Sequence, residues 1–186
     1  MRVLAYFAAV LFGLALLVIA SLGLAAAFAW PKLPSLEALT DYRPRIPLRI
    51  YTSDGQLIGE YGEERRTFAR IQDVPEHMKN AVIAAEDDRF YQHGGIDIAG
   101  FLRATAANLF NGSKRKETRT ITRQVARNFY LTREKSYSRN LYEILLSLKI
   151  EKNLSKNQIL EIYFNQFYLG QRAYGFASAA QTYFGK

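Results

Sequence analysis

From Val3 to Trp30 the chain carries no charged residue, and Leu, Ala, Phe and Val dominate. A bilayer's hydrocarbon core is crossed by about 20 apolar residues in a helix, so this run is long enough to span one. Signal-peptide apolar cores are shorter, roughly 7–15 residues. Although Ala27-Phe28-Ala29 has the small-residue form of a cleavage site, the length favours an uncleaved anchor. The expected organisation is therefore an anchor over 1–30, a juxtamembrane linker over 31–47, punctuated by Pro31, Pro34, Pro44 and Pro47, and a folded domain over 48–186. Flanking charge leaves the orientation open. Arg2 precedes the span while Lys32, Arg43, Arg45 and Arg49 follow it, yet long domains translocate largely regardless of that bias. The chain has no cysteine, which marks no redox compartment and excludes none.

The net charge of +8 is unevenly placed. Lys114, Arg115, Lys116, Arg119, Arg123, Arg127, Arg133, Lys135 and Arg139 follow one another, opposed only by Glu117 and Glu134. Such a block attracts phosphate on nucleic acid, on lipid head groups or on a soluble ligand. Beside an anchor, lipid phosphate is favoured and nucleic acid comes last.

Ile46 to Tyr61 reads as a small hairpin turning at Thr52-Ser53-Asp54-Gly55, since Asp-Gly is a strong tight-turn signal. Asp73-Val74-Pro75-Glu76 has the form of a helix start, with Asp73 as cap, Pro75 in the first turn and Glu76 at the capping-box position. Met78, Ala81, Val82 and Ala85 then make an apolar stripe leading to Glu86. A carboxylate at a helix C-terminus feels negative partial charge, and burial disfavours its ionised form, so the Glu86 pKa is expected to be pushed upward, as general-base catalysis needs. Taken alone, this stretch is better read as an ordinary helix end with solvated Asp and Arg side chains.

Asp97 can cap the next helix, in which Phe101, Leu102, Thr105 and Leu109 recur. Thr120 to Tyr130 predicts a further helix, with Arg119, Arg123 and Arg127 stacked at i, i+4 as one cationic stripe. Another begins near Ser136 or Ser138, with Leu141, Ile144, Leu145 and Leu148 as its core face. Ser155-Lys156-Asn157-Gln158 matches a capping box and opens a helix carrying Ile159, Leu160, Tyr163, Phe164 and Phe167. The expected fold class is mostly α, with a small strand element near the membrane.

A series of ordered stretches narrows this. They are Glu86-Asp87-x-x-Phe90-x-x-His93-x-Gly95-x-Asp97, then Thr120-Ile121-Thr122-Arg123-Gln124-Val125-Ala126-Arg127-Asn128, then Arg139-Asn140-x-x-Glu143. Next come Lys156-x-x-Ile159-Leu160-Glu161-x-Tyr163-Phe164-Asn165 and Arg172-Ala173-Tyr174-Gly175, running on to Tyr183-Phe184-Gly185-Lys186. In that order, behind an anchor, they resemble the glycosyltransferase domain of class A penicillin-binding proteins, glycosyltransferase family 51.

The resemblance implies a lysozyme-like helical fold with a small jaw element against the membrane. It implies polymerisation of lipid II into glycan strands with release of undecaprenyl diphosphate, on the outer, periplasmic side of the bacterial inner membrane. Glu86 corresponds to the general base that deprotonates the acceptor's 4-hydroxyl. Glu143 corresponds to the second catalytic glutamate, which holds the donor diphosphate directly or through a divalent metal, Mg²⁺ or Mn²⁺. No organic cofactor is implied. Asp87, Phe90, His93, Thr120, Gln124, Arg127, Asn128, Arg139 and Arg172 correspond to substrate-binding positions. A leaving diphosphate needs positive charge where its own charge develops, and a bridging metal takes oxygen ligands. The implied partners are lipid II, the growing glycan chain, the bilayer and other cell-wall synthesis proteins.

Read without the family, Arg139 and Glu143 are a surface i, i+4 ion pair contributing about 0.3–0.5 kcal/mol. His93 is then a hydrogen-bonded loop histidine, and Tyr163, Phe164 and Phe167 are core. Glu161 and Asn165 are then polar positions on an amphipathic helix. Ser113-Lys114-Arg115-Lys116 has the letters of Ser-x-x-Lys but no Ser-x-Asn or Lys-Thr-Gly partner.

The second motif departs from the family's usual Gly-Gly-Ser-Thr-Ile-Thr-Gln-Gln. Glu117 and Thr118 replace the glycines, and Arg119 and Arg123 replace a serine and a glutamine. The added charge either strengthens phosphate binding or fills the donor site. Asn140 stands where the third motif has a lysine. Further helices usually follow the last motif, so the domain is expected to be C-terminally incomplete. Two alternatives remain open: a relative that binds lipid II without turnover, and a lysozyme-like murein hydrolase, which has no need of a diphosphate site.

Overall fold

The computed structural model describes residues 2–40, 48–62, 64–111, 119–130 and 137–185. Much of the basic segment (112–118 and 131–136) and the linker residues 41–47 lie outside them, with Ser136 as a candidate helix cap.

The first helix, α1 (Arg2–Ala29), is exposed along the apolar run, and Tyr6–Lys32 is long and apolar enough to cross a membrane. Its far end is different. Ala29, Leu33 and Leu39, the last within the short α2 (Glu37–Thr40), are buried in the domain core. The Lys149 Nζ donates to the Pro34 carbonyl at 2.8 Å, so the chain leaves α1 already fastened to the domain.

Strands β1 (Leu48–Tyr51) and β2 (Leu57–Tyr61) pair antiparallel around the expected turn, where Thr52 and Gln56 exchange hydrogen bonds. A second sheet was not foreseen. In it β3 (Arg65–Arg66) pairs in parallel with β4 (Ala173–Tyr174), and the Arg66 guanidinium lies 4.2 Å from the centre of the Tyr174 ring. Two-residue strands more than a hundred positions apart carry no periodicity in the sequence.

Helix α3 (Glu76–Glu86) starts later than Asp73 suggests. Pro75, extended at φ −57° and ψ 138°, is the cap residue, and its carbonyl accepts from Met78 and Lys79. Asp73 instead closes a turn back to the Arg70 carbonyl. Helix α4 (Ile98–Asn111) follows, its entry capped by Asp97, whose Oδ1 accepts from the Gly100 amide at 2.9 Å.

The core is built from α5 (Ile121–Tyr130), α6 (Tyr137–Asn153) and α7 (Lys156–Gln166), with α5 packed against both of the others. Ile121, Val125 and Ala126 meet Leu145, Leu146 and Ile150 of α6, and Ile159, Leu160 and Phe164 of α7 complete the cluster. Each fully buried aliphatic or aromatic side chain here contributes about 1.5–3 kcal/mol.

The buried face of α6 differs from the expected one. Glu143, Leu146, Ser147 and Ile150 point inward at i, i+3, i+4, i+7, whereas Leu148 is exposed. A glutamate and a serine inside an otherwise apolar stripe rotate the face away from the one that hydrophobicity alone selects. Helix α7 opens with the expected capping box between Ser155 and Gln158. Its Tyr163 and Phe164 pack with Phe176 of α8 (Phe176–Phe184), and Tyr163 also packs with Phe167 just past the helix end. The molecule is mostly helical with small strand elements, as the sequence pattern implies.

Candidate active site

Glu86 is the last residue of α3, and the loop after it is bolted to the start of α5. The buried carboxylate of Asp87 accepts from His93 Nε2 at 2.9 and 3.0 Å and from the Ile121 amide at 3.0 Å. The Gly95 amide donates to His93 Nδ1 at 3.2 Å, so the imidazole proton sits on Nε2 and faces Asp87. Thr120 caps α5: its Oγ1 accepts from the Arg123 amide and donates to the Gly95 carbonyl at 2.6 Å. Gly95 adopts φ +92°, and a Cβ there would lie 3.1 Å from the Ser147 carbonyl, so only glycine lets this loop press against α6.

Underneath, Lys156 gathers several groups at once. Its Nζ donates to the His93 carbonyl at 2.6 Å and to Glu151 at 2.7 Å, and lies 4.4 Å from the centre of the Phe90 ring. Glu151 also accepts from Thr122 Oγ1 at 2.5 Å. Phe90 itself is fully buried. Asp87, Phe90, His93 and Thr120, expected among the substrate-binding residues, are therefore occupied within the protein. They hold the Glu86 loop against α5.

Gln124, in the first turns of α5, donates from Nε2 to Glu86 Oε2 at 2.8 Å and more weakly to the Arg119 carbonyl at 3.4 Å. One turn away lies Glu143, wholly buried on α6. Its Oε1 is 3.3 Å from Arg119 Nε and 3.1 Å from both Nε and Nη2 of Arg123. Its Oε2 is buried with no hydrogen-bond partner. Arg127 stands on the next turn of α5. Burial, and after it the nearby charges of Arg119 and Arg139, lower its pKa, while Glu143 opposes them. The cationic stripe thus bends round one buried carboxylate, with Arg139 contributing from α6. Asn128 is exposed on α5, and Asn140 is exposed on α6.

Arg172 belongs to a different part of the molecule. It adopts φ +63°, its carbonyl accepts from the Arg65 amide at 2.8 Å, and its Nη1 reaches the Gly62 carbonyl at 3.4 Å. Two residues that the sequence offers only as motif letters or polar helix positions have structural partners. Glu161 accepts from the Ile71 amide at 2.8 Å, and the buried Asn165 exchanges hydrogen bonds with the Ala69 backbone at 2.8 and 2.7 Å. These contacts span 90 and 96 positions and fix the segment that leads into α3. Only the placing of an amide beside Tyr163 and Phe164 hinted at them.

Glu143 was expected as a metal ligand beside the donor diphosphate. Mg²⁺ and Mn²⁺ favour about six oxygen ligands. Among the described residues no three His, Cys, Asp or Glu side chains cluster, so one carboxylate, water and the phosphates themselves would have to supply them. Glu143 offers one uncommitted oxygen, and its other oxygen already carries two guanidinium groups.

Comparison with known proteins adds to this geometry. The profile of the transglycosylase family matches residues 54–186. The chain is 56% identical over 175 residues to penicillin-binding protein 1A of Neisseria lactamica, covering 94% of this chain and 22% of that protein. Against penicillin-binding protein 1A of Neisseria gonorrhoeae the identity is 55% over 181 residues, covering 97% of this chain and 22% of that protein. Against the Pseudomonas aeruginosa protein of the same name it is 50% over 156 residues, covering 84% and 19%. The chain thus spans less than a quarter of the length of these relatives.

Proposed function

The chain belongs to the transglycosylase family, and on that footing we propose that it is a membrane-anchored peptidoglycan glycosyltransferase acting in cell-wall synthesis. Its substrate is lipid II, its product the growing glycan strand, and undecaprenyl diphosphate departs. The domain sits on the outer face of the bacterial inner membrane, held at the bilayer by α1, where it can meet other cell-wall synthesis proteins.

In this reading Glu86 takes the proton from the acceptor's 4-hydroxyl, and that oxygen attacks the donor's anomeric carbon. The bond from that carbon to the diphosphate oxygen breaks, and its electron pair leaves with undecaprenyl diphosphate. The charge that develops on the leaving group is met by Arg119, Arg123, Arg127 and Arg139, since preformed positive charge acts most strongly where the transition state gains negative charge. Asn128 and Arg172, both exposed, are available to the sugars.

One observation carries the reading. Helix α5 presents Gln124 to Glu86 and, on its neighbouring positions, Arg123 and Arg127 to the Glu143 region. One short helix thereby carries the side chain that holds the base and two members of the cationic cluster. The test is lipid II polymerisation by the chain and by its Glu86→Gln variant. General acid–base groups typically contribute a factor of about 10²–10⁴, and a loss of that size is expected. Equal rates would remove Glu86 as the base.

A second reading, binding without turnover, draws on the two guanidinium groups seated on Glu143. Lipid II retention with no glycan product in the unchanged chain, and polymerisation gained in R119S/R123Q, would select it.

A further inference from the structure

A carboxylate buried as deeply as Glu143 needs a compensating cation, because an unpaired buried charge costs several kcal/mol. Here the compensation comes from the chain itself. Arg123 is largely buried and reaches Oε1 with two nitrogens, while Arg119 reaches the same oxygen with its side chain 46% exposed. Both positions departed from the resembled motif, where uncharged residues stand. Two guanidinium groups meet on one carboxylate oxygen, and Arg127 and Arg139 stand beside them. A cluster of this kind suits an anion, since guanidinium groups bind phosphate oxygens bidentately.

We propose that Arg119 and Arg123 do at Glu143 what a divalent cation would otherwise do: they neutralise the carboxylate and hold a diphosphate directly, so that the site binds diphosphate without metal. The proposal rests on the donor-site reading of this cluster. Arg119 is the group that reaches out, because its exposure lets it keep one nitrogen towards Glu143 while presenting others to the ligand. Diphosphate and Glu143 then compete for the same two side chains. This sets the sign of the decisive variant. Where a metal bridges Glu143 to diphosphate, loss of the carboxylate abolishes binding. Where guanidinium groups are shared, the same loss frees them.

The experiment is equilibrium binding of inorganic diphosphate to the detergent-solubilised full chain, in EDTA and in excess Mg²⁺. The unchanged chain is expected to bind in both buffers with affinities within about threefold, far less than the loss of one charge-assisted hydrogen bond would produce. In EDTA, R119S/R123Q is expected to bind at least about tenfold more weakly, and Glu143→Gln, an isosteric change, to bind as tightly or more tightly. Circular dichroism melting checks that each variant is folded; if R119S/R123Q is not, the Glu143→Gln measurement decides. Binding that needs Mg²⁺ would overturn the metal-independent site alone. So would loss of EDTA-resistant binding in folded Glu143→Gln, or its full retention in folded R119S/R123Q. No binding in either buffer would overturn the donor-site reading and this inference together.

Discussion

The Glu86 carboxylate is aimed by a hydrogen bond from Gln124 Nε2 at 2.8 Å. A hydrogen bond to a charged group is worth about 1.5–3 kcal/mol, so Gln124→Ala is expected to lower kcat about tenfold or more while changing KM little. Steady-state polymerisation kinetics would show it, and a change confined to KM would make Gln124 a substrate contact instead. Asp87 has a different part. It joins His93 to the first amide of α5, and Asp87→Ala would strand both donors in the interior. The expected loss is about 3 kcal/mol of stability, read as a lower urea midpoint, with the same loss whether or not substrate is present.

At the level of elements, α5 does most of the positioning and α7 supports it from below. Helix α7 depends on its capping box, and Ser155→Ala is expected to cost about 1 kcal/mol by removing the acceptor for the Gln158 amide. The turn from β4 into α8 depends on Gly175 at φ +82°, where a Cβ would lie 3.0 Å from the Asn165 Cα. Backbone strain of this kind costs about 1–3 kcal/mol, so Gly175→Ala should lower the melting temperature and loosen Asn165 from the Ala69 backbone. Faster hydrogen exchange at the Ala69 amide, relative to amides in α6, would record that loosening.

Over the whole molecule, the aromatic layer between α7 and α8 couples stability to pH. Burial first, and then the negative charge of Glu86, raise the pKa of the Tyr163 phenol. An unfolded tyrosine ionises near pH 10, whereas folded Tyr163 keeps its proton to higher pH. The folded state therefore binds more protons across that window. Its contribution is complete below about pH 10 and is lost as pH rises towards the folded value. Urea midpoints should fall above about pH 10, and Tyr163→Phe, having nothing to ionise, should fall less steeply. An identical decline in the two proteins would show that Tyr163 does not drive it. The apolar helix α1 also belongs at this scale, since Ala29, Leu33 and Leu39 make its exit part of the domain core.

Local chemistry made much of this legible in the sequence. The uncharged run from Val3 to Trp30, the Asp-Gly hairpin, the Asp97 cap and the Ser155 capping box each depend on neighbours a few positions away. So do the helical periods of α5 and α7 and the ordered motifs around Glu86 and Glu143. The short-range rules failed where a longer-range partner competed. Asp73 yielded the helix start to Pro75, and α6 turned Glu143 and Ser147 inward instead of Leu148. Which residues brace the Glu86 loop and the segment leading into α3 was decided by contacts such as Lys156 with His93, 63 positions apart, and Asn165 with Ala69, 96 apart. The meeting of Arg119 and Arg123 on a single Glu143 oxygen is of that kind. Spacing along the chain fixes which side chains share a helix face, but only the packing of α5 against α6 sets which buried charge that face must satisfy.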